Sequence, residues 1–140
     1  MPYEYSVMKK SRFILYMLWV QGVYYLLTAV WPLVHIESFM MVTGPKRDIW
    51  LVKTVSVLIL SVAIALLYGA CYPTDYRLIR LIAVSAALGL TVIDLWYTLQ
   101  GVIKWVYLLD AVAEVLLIAG WCTRKIPHSK LFRDNIHSQH

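Results

Sequence analysis

The chain has 140 residues, of which 61% are hydrophobic, 14% aromatic and only 15% charged, with a net charge of +5. A soluble domain carries about 25% charged residues, so a water-facing surface could not be covered here, and the mean hydropathy of +0.66 agrees. The length suits one domain, and the basic residues flank apolar runs instead of forming a stripe, which argues against nucleic acid and for topology signals and attraction to anionic lipid.

A hydrocarbon core of about 30 Å needs roughly 20 residues of helix. Four runs reach that length, at about 13–34, 49–70, 78–98 and 102–122. The first lacks a small-residue cleavage site and is read as a helix that stays, not a cleavable signal. Pro32, in its last turn, is expected to kink or end it. The segment 35–48, with Gly44-Pro45, is the only connection with room for structure of its own. Cys71 to Asp75, containing Pro73, reads as a tight turn, and Gln100-Gly101 as a tighter one. Connections this short force each helix antiparallel to the one before. The expected fold class is therefore all-α integral membrane, an antiparallel bundle of four transmembrane helices within 1–124, followed by a polar tail at 125–140. Small residues four apart, Ser61, Ala65 and Gly69 on the second helix and Ala83 with Ala87 on the third, are expected to mark close packing inside the bundle.

Lys9, Lys10, Arg12, Arg77, Arg80, Arg124, Lys125, Lys130 and Arg133 fall on one side of such a bundle. Lys46, Arg47, Lys53 and Lys104 fall on the other. The excess of positive charge places both termini, and the tail, in the cytoplasm. Cys71 and Cys122 then end helices on the reducing side, and without a CxxC they indicate neither zinc nor a disulfide framework. His128, His137 and His140 are spread along the tail and read as solvated, so no metal is expected. Trp19, Trp31, Trp50, Trp96, Trp105 and Trp121 lie near helix ends and read mainly as interface anchors. Nucleotide and zinc-protease motifs are absent, and no cofactor is expected.

The informative residues are the charged ones inside the spans: Asp94, Asp110 and Glu114, with Lys53 near a helix end. An acid at the bilayer centre costs about 2.5–3.5 kcal/mol on insertion scales, so such residues face the interior and are functional candidates. Taking ~1.5 Å of rise per residue from position 102, Asp110 lies ~12 Å and Glu114 ~18 Å inside the non-cytoplasmic end, sharing a face with Tyr107 and Trp121. Asp94 lies ~6 Å from the same end and Lys53 at a matching depth, so they could form an ion pair, or Lys53 could snorkel. The first helix offers the polar stripe Gln21, Tyr25, Thr28, Pro32 and His35, with Tyr24 beside it. By the same ~1.5 Å rise Gln21 is level with Glu114, and Tyr25 with Asp110. Thr91 and Tyr97 share the face of Asp94.

These positions predict a polar pocket in the non-cytoplasmic half. Its catalytic candidates are Glu114, Asp110 and Asp94, and its ligand-binding candidates are Gln21, Tyr24, Tyr25, Tyr97, Tyr107, His35 and Lys53. A purely structural network of interhelical hydrogen bonds is the alternative, but such bonds average only ~0.6 kcal/mol in one measured bundle and seldom repay a charge.

The stretch Trp31 to Leu67, WPLVHIESFMMVTGPKRDIWLVKTVSVLILSVAIALL, resembles the small bacterial DoxX-like four-helix membrane proteins. In those, a helix ends near a proline, a short GP-containing segment follows, and the next helix opens with an aromatic residue. The resemblance implies a four-helix bundle, often an accessory subunit of redox or sulfur-metabolising membrane systems. A second likeness, to emopamil-binding-type sterol isomerases, is chemical only, and no residue role is carried over from it.

Function is therefore expected in one of three forms. The first is binding, with acid/base chemistry such as isomerisation or cyclisation, of a small lipophilic ligand (isoprenoid, sterol-like or quinone) drawn from membrane lipid. The second is proton-linked transport by a homo-oligomer. The third is a non-catalytic accessory subunit docked on a membrane protein partner of a redox complex.

Overall fold

The computed structural model describes residues 12–72 and 75–123, all of whose regular structure is helical. The helices are α1 (Arg12–Val34), α2 (Ile36–Thr43), α3 (Ile49–Cys71), α4 (Tyr76–Leu99) and α5 (Val106–Cys122). By length and composition α1, α3 and α4 can each cross a membrane. At 17 residues, α5 is ~25 Å long. The basic N-terminal residues before Arg12 and the histidine-bearing tail lie outside the described residues.

The outer surface is apolar. Leu27, Leu58, Leu81 and Leu116, one on each long helix, are 62–66% exposed. Leucine displayed on every long element suits lipid, because a contiguous apolar exterior is not sustained in water. Inside, α1 packs along α3 and α4 along α5, and the two pairs meet more lightly through α3 with α4 and α1 with α5. Leu18, Ala29, Ala63, Leu66, Ala83 and Ala87 have no accessible surface.

Close approach is achieved differently in the two halves. On α4 the expected pair Ala83 and Ala87 does face inward. On α3, Ser61 is exposed and turns its hydroxyl to the Val57 carbonyl at 2.9 Å, so the inward line is Ser56, Ala63, Leu66 and Gly69. A close contact comes from Gly22 on α1, where a Cβ would lie 2.8 Å from Leu67 Cδ2. A missing side chain on one helix thus lets leucines of the next fill the gap.

The connections depart from the expected boundaries for clear local reasons. Segment 35–48 contains α2, which His35 caps: its Nδ1 accepts from the Ser38 N–H at 3.1 Å, and the Ser38 hydroxyl donates back to the His35 carbonyl at 3.1 Å. Trp31 Nε1 donates to the Ser38 hydroxyl at 2.9 Å and its ring meets Phe39 edge-on, so α2 is tied to the last turn of α1. Pro32 is buried in that turn, and the chain leaves helical geometry at His35.

The last helix starts at Val106, not at 102. Gly101 has φ +70°, its N–H bonds the Thr98 carbonyl at 3.0 Å, and the Val102 N–H bonds the Tyr97 carbonyl at 2.9 Å. This is the double hydrogen-bond closure of a Schellman motif, and it draws 102–105 into the turn although Val102 and Ile103 are apolar enough for a span. Gly101→Ala forces a Cβ into the left-handed region and is expected to lower stability by about 1–2 kcal/mol. Gly89→Ala, at an unstrained position with nothing within 4 Å of the new Cβ, is expected to be neutral or stabilising. Parallel unfolding titrations in mixed micelles compare the two.

Candidate functional site

Three helices deliver the polar groups to one level of the interior. From α1, Tyr25 is 1% exposed and donates its hydroxyl proton to Glu114 Oε2 on α5 at 2.9 Å. Tyr24, beside it, donates to Asp110 Oδ1. Asp94 comes from α4, is 5% exposed, and sits within hydrogen-bonding reach of Asp110. Asp110 and Glu114 both act on Asp94, and no cation stands among the groups acting on Asp94 or Glu114. Glu114 has no accessible surface. Its Oε1, Asp94 Oδ2 and Thr98 Oγ1 are buried without a hydrogen-bond partner.

Next to the acids, toward the opposite end of α1, lies a closed network. Gln21 is fully buried, with Nε2 donating to the Ala83 carbonyl at 3.0 Å and Oε1 accepting from Trp121 Nε1 at 2.7 Å. It also lies within reach of the Tyr25 hydroxyl. One amide therefore ties α1 to α4 and α5. Beyond it the interior is apolar, with Leu18 and Leu66 fully buried and Leu117 nearly so.

The structure brings together Glu114, Asp110, Asp94, Tyr24, Tyr25 and Gln21. The remaining candidates lie elsewhere. His35 is exposed and serves as the cap of α2. Lys53 is exposed on α3 and is not joined to Asp94, because an ammonium on a flexible stem near a helix end reaches water more cheaply than it enters the interior. Tyr97 is 40% exposed. Tyr107 is half-buried with the Lys46 ammonium 4.9 Å from its ring centre. Thr91 is buried but bonds its own helix at the Ala87 carbonyl, 2.8 Å away.

Trp121 departs from its expected role as an anchor. It is 3% exposed and its N–H is the donor that fixes Gln21. The signal was its spacing, seven residues after Glu114 and so on the same helical face. Thr98, one turn after Asp94, carried the same signal. The other five tryptophans are exposed. Both cysteines are free and exposed, and no cluster able to hold a metal ion occurs among the described residues.

No family model, curated protein or solved structure matches the chain. The likeness of Trp31–Leu67 to DoxX-like proteins therefore rests on that segment alone.

Chemically, the arrangement offers proton donors and acceptors in apolar surroundings. Each tyrosine hydroxyl has its proton on a carboxyl oxygen, which fixes the orientation of Glu114 and Asp110. The opposite carboxyl oxygens of Glu114 and Asp94 are held in place with nothing bound to them.

Proposed function

We propose that α1, α3, α4 and α5 span the membrane as an antiparallel bundle with both termini in the cytoplasm. The carboxyl cluster binds a small lipophilic molecule, with Glu114 as the proton donor or base. The outward leucines support the spanning arrangement. So do the paired residues, which run in opposite order along α1 and α5: Tyr25 with Glu114, then Gln21 with Trp121.

The observation that carries the ligand reading is the pair of unpartnered oxygens, Glu114 Oε1 and Asp94 Oδ2. A network serving only to hold helices together gains from satisfying every buried polar atom, and leaving one open costs about 1–3 kcal/mol. Gln21 shows that this interior can be fully satisfied where packing is the only demand. The acids one turn away are not.

Proton transport draws less support. The apolar layer of Leu18, Leu66 and Leu117 beyond Gln21 leaves a proton no continuous polar path across a single bundle. The accessory-subunit reading has no feature of its own in the geometry.

The test is native mass spectrometry of the full chain released from membranes in mild detergent. It is run with and without prior treatment by dicyclohexylcarbodiimide, an apolar reagent that modifies carboxylic acids shielded from water. The expected result is a bound small lipophile that is lost on modification of Glu114 or Asp94. A chain that carries nothing, and whose buried acids take up no reagent, would assign the cluster to structure alone.

A further inference from the structure

The polar balance of the site identifies the chemistry of its ligand. Tyr24 and Tyr25 use their hydroxyl protons on Asp110 and Glu114. What is left open is acceptor capacity: Oε1 of Glu114, a residue with 0% exposure, and Oδ2 of Asp94, a residue with 5%. The Thr98 hydroxyl, also unpartnered, can accept or donate. A ketone or quinone can be served by the Thr98 hydroxyl but leaves both carboxyl oxygens unanswered. A group rich in N–H and positively charged answers both the open oxygens and the uncompensated acids.

The second observation is access. An apolar groove of about 260 Å³ lies between α3 and α4, walled by Leu58 and Val62 on one side and Ala86 and Gly89 on the other. Tyr25 of α1 lines it from within, and the same tyrosine bonds Glu114. The space beside Gly89 is open, since a Cβ there would meet nothing within 4 Å. The volume is smaller than the roughly 300–1,000 Å³ of a full ligand pocket, and so suits an apolar tail whose head lies deeper. Neither groove reaches an acid directly; a second one of about 350 Å³, between α4 and α5, has wholly apolar walls and includes neither of the tyrosines that bond the acids.

We infer that the ligand is a lipophilic amine, its ammonium on Glu114 and Asp94 and its tail in the α3–α4 groove. It enters from the lipid past Tyr25, whose ring face also attracts a cation. This deepens the lipophilic-ligand reading given above and rests on it.

The test uses the full chain in zwitterionic lipid nanodiscs, with empty nanodiscs as the control. Two probes of matched tail are titrated, N,N-dimethylfarnesylamine and farnesyl methyl ether. The amine is expected to bind more tightly by on the order of tenfold, which is about 1.4 kcal/mol. Glu114→Gln should abolish that preference, and Gly89→Leu, which fills the groove without touching an acid, should weaken the amine several-fold. Should Glu114→Gln fail to fold, Asp94→Asn takes its place. Equal binding of amine and ether by the wild-type chain overturns the amine assignment while leaving the lipophilic-ligand reading standing. Binding of neither overturns both. A preference that survives in the folded acid variant overturns the placement of the ammonium, and undiminished binding by Gly89→Leu overturns the placement of the tail.

Discussion

Gln21→Ala is expected to lower the stability of the bundle by about 2–3 kcal/mol, the largest loss from any single polar truncation in the interior. The side chain holds three helices at once through the Ala83 carbonyl and the Trp121 indole, at 3.0 and 2.7 Å. Interhelical hydrogen bonds in membranes average about 0.6 kcal/mol and reach about 1.7. The variant also leaves the Trp121 N–H unpartnered and opens a void, and voids cost about 24 cal/mol per Å³. The Ala83 carbonyl suffers less, because it lies within α4 and keeps its helical partner. Gln21→Met, which keeps the volume and loses the bonds, separates the contributions and is expected to cost only about 1 kcal/mol. Unfolding of both variants in mixed micelles, followed by tryptophan fluorescence, measures the difference. A Gln21→Ala chain with the wild-type midpoint would remove the amide from any structural role.

The apolar spans could be read in the sequence because lipid allows a long helix few alternatives. The start of α5 could not. Val102 and Ile103 are as apolar as the helix that follows, and only the closure around Gly101 reveals that they belong to a turn. That shift propagates into the site. Counted from Val106, Glu114 lies ~12 Å from the helix start instead of ~18 Å, which brings it level with Tyr25 at ~14 Å. Counting those four turn residues into the helix shifts each partner by one turn and pairs Tyr25 with Asp110 and Gln21 with Glu114.

Asp94 and Glu114 lie in the interior because the cost of exposing them to lipid overrides local preference. Residues with a cheaper option took it. His35 found the open N–H groups at the start of α2, and Lys53 reached the surface. The α2 helix does not show in the sequence although His35 supplies its cap, because eight residues carry too little periodicity to stand out from a loop. Ser61 illustrates the same limit: a small residue at the right spacing can still satisfy its hydroxyl on its own helix and face outward.

Glu114→Gln is the substitution expected to separate function from folding most sharply. The amide oxygen of glutamine can accept the Tyr25 hydroxyl as Glu114 Oε2 does at 2.9 Å, so shape and this bond are kept. The amide also removes a buried ionisable group, whose desolvation works against stability. The change in stability is therefore expected to stay within about 1 kcal/mol in either direction. The other oxygen, Oε1, becomes an N–H₂ pointing where the site offers only an open acceptor position. Binding of the lipophilic ligand is expected to fall by on the order of tenfold or more, because a charge-assisted contact is replaced by a donor facing a donor. Tyr25→Phe should show the reverse balance. It leaves Glu114 without any partner in a fully buried position and is expected to lower stability by about 1–3 kcal/mol. Circular dichroism and micelle unfolding give the stability of each variant, and ligand retention in nanodiscs gives the binding. If Glu114→Gln fails to fold while Tyr25→Phe folds, the carboxylate holds the helices together. If it folds and retains the ligand, the chemistry lies with Asp94 and Asp110 instead.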